Sequence, residues 1–400
     1  MPARTANAFA LALFWLGVQA VWGALLGISL QSRTIELSPT DALIAYGRLA
    51  TAGALVAAIT QIVVGFWSDA RRRRQSRRLE FYVAGTVAGA AALVFFYAAP
   101  TLAVLTLAFI LLQAALNVAI GPYQAIIPDF VERVRTGAAS SWMAALQGAG
   151  NAVGALAASF ITNARALSAS LAALLLATCA VTVSHASRLP LRDSLEQTPP
   201  AFRVTRPFVD LFVSRALVYV GFYTLLGYLL FYVTQVLGIR VLADARRETG
   251  ILIVAFTLLG AVGARLAAGP TDRLDKRLVA TVGAAGFIAA LAVFIGSGAT
   301  AGVAVATLLG GLGWGIFLVA DWAIACRVLP PGAMAAGMGI WNLAVVLPQI
   351  IAPAFTTLVI QWFSLAASPA APRVAFGLAL GETLIGIAWL WRLSRCAIGE

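Results

Sequence analysis

Charge is scarce in this chain: Asp, Glu, Lys and Arg make up 11% of its 400 residues, against 61% hydrophobic. A soluble protein carries about a quarter charged residues. Too little polar sequence is present to coat a globule in water, so a lipid bilayer must be the solvent for most of it. Cysteine and histidine are scarcer still. Cys179, Cys326 and Cys396 lie far apart and His185 is the sole histidine, which excludes a disulfide framework and argues against a metal centre. His185 stands near the end of an apolar run and reads as structural. No nucleophile–base constellation and no ATP-binding motif is present. Glycine spacings such as "GAVGARLAAG" follow no strand and read as helix-packing small residues, not a phosphate cradle. Neither an enzyme nor a cofactor is expected.

What the sequence has instead is apolar runs of about 20 residues, each sufficient to cross a hydrocarbon core of about 30 Å. Twelve can be marked: Ala8–Leu30, Ala42–Trp67, Phe81–Ala99, Thr101–Tyr123, Ala138–Ile161, Ala166–His185, Phe208–Leu237, Thr249–Ala268, Leu278–Ile295, Ala301–Ala325, Gly332–Phe363 and Val374–Trp391. The first resembles a signal peptide, but it continues to Leu30 without a convincing cleavage site and is read as a membrane helix. The longest polar interval, Ser187–Pro207, holds four prolines and four arginines and divides the spans six and six. The expectation is an all-α membrane protein: twelve transmembrane helices in two pseudo-symmetric six-helix bundles, residues 1–187 and 208–400, joined by a linker at 188–207. The halves echo each other at an offset near 200, since span 1 begins near Ala8 and span 7 near Phe208. Repeated halves around a midplane site are how many transporters are built.

The cations sit mainly in the connectors. Residues 65–78, "GFWSDARRRRQSRR", place six arginines in eight positions. With the N-terminus inside, 19 Lys and Arg fall on the inner side, six on the outer side and three (Arg48, Arg215, Arg265) within spans. That asymmetry predicts that both termini are cytoplasmic, and the expected location is the cell inner membrane. The net charge of +12 is then topology plus attraction to anionic headgroups. No folded basic surface or stacking platform accompanies it, so nucleic acid is not an expected partner.

Topology does not explain Asp69. The pattern Gly65, three residues, Asp69, then clustered arginines resembles the signature loop between helices 2 and 3 of the major facilitator superfamily. A degraded copy, "AAGPTDRLDKR", follows span 8 and contains Asp272 and Arg273. The resemblance covers essentially the whole chain. It implies the major facilitator fold, alternating access, and a conformational gate at Gly65, Asp69, Asp272 and Arg273. "QIVVGFWSD", "NVAIGPYQAIIPD" and "GMGIWNLAVVLPQ" are further similar to the sucrose/proton and glycoside–cation symporter branch. Gln124 departs from that branch's usual Arg, and span 4 carries no acid where the plant symporters have one.

Polar groups facing lipid are costly, so polar stripes at 100° per residue are candidate walls of a cavity. Five such stripes occur: Trp15–Gln19–Trp22, Gln113–Asn117–Gln124, Ser140–Gln147–Asn151, Trp314–Asp321 and Asn342–Gln349. Amides hydrogen-bond hydroxyls, and an aromatic face packs on the C–H face of a sugar ring. Trp15, Gln19, Trp22, Gln113, Asn117, Gln147, Asn151, Trp314 and Asn342 are therefore the candidate substrate contacts; the plainer reading of each is helix glue or an interface anchor. A charge near the bilayer centre costs roughly 3 kcal/mol, which singles out Arg215, Arg265, Asp321 and Glu382. Arg215 and Asp321 lie at depths that allow pairing, either as a permanent structural ion pair or with Asp321 exchanging a proton. Glu382, near the midplane of the last span, is the other coupling candidate. The expected function is secondary active transport by a monomer, favoured as proton-coupled symport of a sugar or glycoside. The alternatives are proton-driven efflux of an amphipathic small molecule and a non-transporting membrane module.

Overall fold

A chain segment in hydrocarbon has no water for its N–H and C=O groups, so it must satisfy them itself, as a helix or in a closed barrel. The computed structural model describes residues 6–72, 78–131, 136–190, 204–328, 334–365 and 368–394, and every apolar run among them is helical. The long helices are α1 (Ala8–Leu37), α2 (Ala42–Arg72), α3 (Leu79–Ala98), α4 (Leu102–Tyr123), α5 (Thr136–Phe160) and α6 (Ala164–Ala186). They continue as α7 (Arg206–Gln235), α8 (Leu242–Arg273), α9 (Lys276–Gly296), α10 (Thr300–Val328), α11 (Met334–Trp362) and α12 (Ala371–Leu390). A short helix, Ile126–Phe130, follows α4. Among the described residues, 11 helices are long and apolar enough to cross a membrane. The twelfth long helix is α5, which is rich in small residues.

Helix starts carry the expected caps. Asn163 accepts from the Ala166 N–H at 3.0 Å, Thr205 from Phe208 at 3.4 Å and Asp275 from Arg277 at 2.9 Å, each satisfying a donor that the helix leaves unpaired. One irregularity was not foreseen. Within α1 the ladder widens to a π turn at Leu25–Ser29. A side chain takes up one displaced carbonyl, Gln31 Nε2 donating to that of Leu26 at 2.7 Å, and beside it the Ser29 and Tyr97 hydroxyls are bonded at 2.7 Å.

The helices group into two units, Met1–Pro39 with Ala52–Gln197, and Thr40–Thr51 with Thr198–Glu400. Residues 191–203 of the expected linker lie outside the described residues. In the first unit α1 packs on α5 and α6, while α3 packs on α4 and α6. In the second, α7 packs on α11 and α12, α9 packs on α10 and α12, and α8 packs on α10. Advancing the first set of pairs by six helices reproduces four pairs of the second. The faint sequence echo is therefore a repeat of packing pattern.

Glycine makes two of these approaches possible. A Cβ at Gly154 of α5 would fall 2.8 Å from the Ala24 nitrogen of α1, and one at Gly283 of α9 would fall 2.7 Å from the Gly313 carbonyl oxygen of α10. In lipid, close backbone approach of this kind replaces the hydrophobic effect as the source of helix association. Gly65, by contrast, has nothing within 4 Å of an added Cβ. Gly154→Val is accordingly expected to cost about 1–3 kcal/mol of stability by overpacking, and Gly65→Ala to leave stability unchanged. Thermal unfolding of the purified protein in detergent measures both, and equal midpoints would refute the close-approach account.

Candidate functional site

In the first unit the apolar face of α4 is interrupted by two buried amides. Asn117 Nδ2 donates to the Gln113 carbonyl at 2.8 Å and reaches Gln113 Oε1 at 3.4 Å. Gln61 of α2 joins them, its Nε2 donating to Asn117 Oδ1 at 2.6 Å. The helical spacing predicts the first two as neighbours. Gln61 was missed, although a lone amide in the apolar run "AITQIVV" was the available signal. Gln124 is exposed at the end of α4 and stays outside the chain of amides.

On α1, Trp15 is buried with its ring 5.3 Å from that of Tyr123, and its Nε1 has no hydrogen-bond partner among the described residues. Gln19 and Trp22 are half-buried on the same side of the helix. Gln19 Cβ lies beside Gly150 of α5, the helix that carries half-buried Gln147 and exposed Asn151. The Ser140 side chain is outside the described residues. Among the described residues no hydrogen bond links the α1 and α5 candidates to the amides of α4.

The second unit holds a different chemistry. Arg215 of α7 and Asp321 of α10 are both buried and form a direct ion pair. Arg215 Nη2 also donates to the Tyr219 hydroxyl at 3.2 Å, and its Cζ lies 3.6 Å from the ring centroid of Trp341 on α11. Trp314 is buried in an aromatic cluster, stacked on Phe222 at 4.2 Å and edge-on to Tyr219 at 5.1 Å. Gln349 Nε2 donates to the Tyr223 hydroxyl at 3.1 Å. The side chain of Asn342 is outside the described residues. Glu382 is half-buried, one carboxylate oxygen having no hydrogen-bond partner among the described residues, and it does not join the Arg215–Asp321 pair.

The arginine-rich loop is not uniform. Arg78 is buried and sits in left-handed backbone (φ 57°) at the start of α3. It pairs with Asp69 at 2.7 Å and with Asp129 at 3.8 Å. The two carboxylates hold a conformation that costs a non-glycine residue roughly 1–2 kcal/mol. Arg71, by comparison, makes an exposed pair with Glu80 at 2.7 Å. In the second unit Asp272 and Arg273 are exposed. The neighbouring ion pair is Asp275 with Arg277 at 2.6 Å, and Arg277 Nη1 also donates to the Leu393 carbonyl at 2.5 Å. His185 Nε2 accepts from the Asn7 N–H at 3.0 Å, tying α6 to the start of α1. Among the described residues, no three His, Cys, Asp or Glu side chains are grouped to hold a metal ion.

A model of the Major Facilitator Superfamily matches residues 7–353. A comparison with curated protein sequences finds no match. Similar solved structures include a bacterial homolog to the human lysosomal transporter Spinster, in an inward-facing and occupied conformation. It is 14% identical, with 96% of this chain and 95% of that chain covered and a TM-score of 0.74. A D-xylose-proton symporter is 13% identical over 98% of both chains, with a TM-score of 0.73. The nucleoside transporter NupG is 13% identical, with 97% of this chain and 100% of that chain covered and a TM-score of 0.71. At such identities the likeness is one of fold.

The contrast within the arginine loop is measurable. Arg78→Ala, which removes a buried cation from between Asp69 and Asp129, is expected to cost about 2–3 kcal/mol. Arg71→Ala should cost less than about 1 kcal/mol, because the pair it breaks is exposed. Unfolding midpoints of the two variants in detergent check the difference, and equal losses would show that Arg78 has no special place in the loop.

Proposed function

The chain belongs to the Major Facilitator Superfamily, and from that premise we propose that it is a secondary active transporter of the cell inner membrane. Both termini are cytoplasmic, and it works by alternating access, carrying a sugar or glycoside together with a proton. The observation that carries this reading is the amide chain Gln61–Asn117–Gln113 in a unit whose α4 bears no charged residue at all. Amides offer both donors and acceptors without charge, which suits a neutral solute rich in hydroxyls. Trp15 adds an uncommitted N–H donor, and Gln19, Trp22, Gln147 and Asn151 extend the same neutral chemistry along α1 and α5. A D-xylose-proton symporter has the same fold, so the fold is compatible with this kind of transport.

Coupling is assigned to Asp321. Its partner Arg215 is a permanent cation, so arrival of a proton on the carboxylate cancels one half of a buried pair and favours a different packing. Asp69 and Gly65, with Arg78 and Asp129, form the conformational latch of the first unit. Asp272 and Arg273 are its counterpart in the second. Trp314, with one ring face occupied by Phe222, packs within the aromatic cluster of the second unit.

The test is uptake of labelled sucrose and maltose into proteoliposomes, with and without an inward proton gradient. Gradient-driven accumulation is expected, to be abolished by a protonophore and by Asp321→Asn. Asn117→Ala should raise KM about tenfold, the loss of one good hydrogen bond. Accumulation unaffected by Asp321→Asn would move coupling to Glu382. No uptake of either sugar by folded protein would overturn the sugar reading in favour of efflux of an amphipathic compound, read as lowered dye accumulation in cells expressing the chain.

A further inference from the structure

A salt bridge needs no aromatic rings, yet Arg215 has two. Its Cζ lies 3.6 Å from the Trp341 centroid and 4.7 Å from that of Tyr219. Trp341 is 1% exposed and Arg215 5%, so these ring faces meet a guanidinium withdrawn from solvent. Arg215 Nε has no hydrogen-bond partner among the described residues. Apart from Asp321 and the Tyr219 hydroxyl, the described partners of the cation are π faces.

While Asp321 is ionised the pair holds itself together. Once Asp321 is neutral, Arg215 is a buried cation without a counter-ion, which is strongly unfavourable. Aromatic faces attract a desolvated cation, and the planar, weakly hydrated guanidinium stacks on them well. We propose that Trp341, with Tyr219, forms an aromatic clamp that keeps Arg215 in place while Asp321 carries a proton. Trp341 is then a positioning residue for the coupling carboxyl, an assignment that rests on the proton-coupled reading of this site.

The surroundings leave this task to the rings. Helix α11, which carries Trp341, has no ionisable side chain between Met334 and Trp362. On α7, Tyr219 is bonded to Arg215, Tyr223 is bonded to Gln349, and the buried Asp210 is engaged by Arg206 and by Trp389 Nε1. Arg265 on α8 is exposed, and neither it nor Glu382 on α12 is in an ion pair among the described residues. Arg277 on α9 is bonded to Asp275 and to the Leu393 carbonyl.

A clamp must matter more when Asp321 is neutral, and Asp321→Asn fixes that state. Thermal unfolding in detergent is measured for the natural protein, Trp341→Leu, Asp321→Asn and the double variant. Loss of the ring is expected to lower the midpoint by about 2 °C or more beyond its effect in the natural protein when Asn stands at 321. Trp341→Phe should recover most of that excess. Equal losses in the two backgrounds would overturn the proposal and leave Trp341 as packing alone. If Asp321→Asn does not fold, the midpoint gap between Trp341→Leu and Trp341→Phe is followed as pH is lowered instead. The gap is expected to widen, and a constant gap overturns the clamp. Because the readout is stability, an excess loss alongside absent sugar uptake would keep the clamp and reject the transport reading, while the opposite pattern would do the reverse.

Discussion

Hydrocarbon offers no hydrogen bonds, and most of this structure follows from that deficit. It makes the backbone helical wherever the chain is apolar, and it sorts the buried polar side chains into two classes. Most of the hydroxyls satisfy themselves within their own helix: Thr307 bonds the Val303 carbonyl at 2.8 Å, Thr249 the Ala245 carbonyl at 2.7 Å and Thr383 the Ala379 carbonyl at 2.7 Å. Such residues place no demand on their neighbours. The longer amides and the ions are less easily satisfied by one carbonyl of their own turn. Asn117 needs Gln61 as well as Gln113, and Arg215 needs Asp321. The polar groups that require a second helix are thus the ones that tie helices together.

The same deficit explains the glycines. With lipid as apolar as leucine, helices gain little from hiding apolar surface and must gain from contact. The approaches at Gly154, between α1 and α5, and at Gly283–Gly313, between α9 and α10, both belong to a packing pattern that recurs every six helices. The pattern is repeated while the side chains it presents are not. One unit presents neutral amides and the other an ion pair framed by aromatic rings, so a common scaffold has been given two chemistries.

Twelve helices were legible because span length is set by membrane thickness, and a run of about 20 apolar residues leaves no other reading. Depth was legible too, and it allowed Arg215 and Asp321 to pair, as they do. Rotation about the helix axis was not. The i, i+7 spacing puts Trp314 on the face of Asp321, but it cannot show that Phe222 already covers that ring. Gln61 and Trp341 were missed for the same reason: their partners, Asn117 and Arg215, lie on other helices, and periodicity within one helix carries no information about the facing one. Arg78 was hidden in a run of like residues. Only its left-handed backbone and two carboxylates set it apart from Arg71.

The difference between the units has an energetic consequence for a transport cycle. An amide chain can exchange one neutral partner for another, a solute hydroxyl for a neighbouring amide, at a net cost near that of a single hydrogen bond. An ion pair in a membrane cannot, because separating it leaves two uncompensated charges in a medium of low dielectric. In the proposed cycle, exchange of partners is therefore cheap in the first unit and separation of the ion pair expensive in the second unless a charge is cancelled. Cancelling the carboxylate is the simpler route, since the guanidinium does not deprotonate in proteins. The remaining cation then has to be held by something other than an anion. Two ring faces already in contact with it, Tyr219 on its own helix and Trp341 on the helix that bears no ionisable group, meet that requirement without adding a charge that would itself have to be moved.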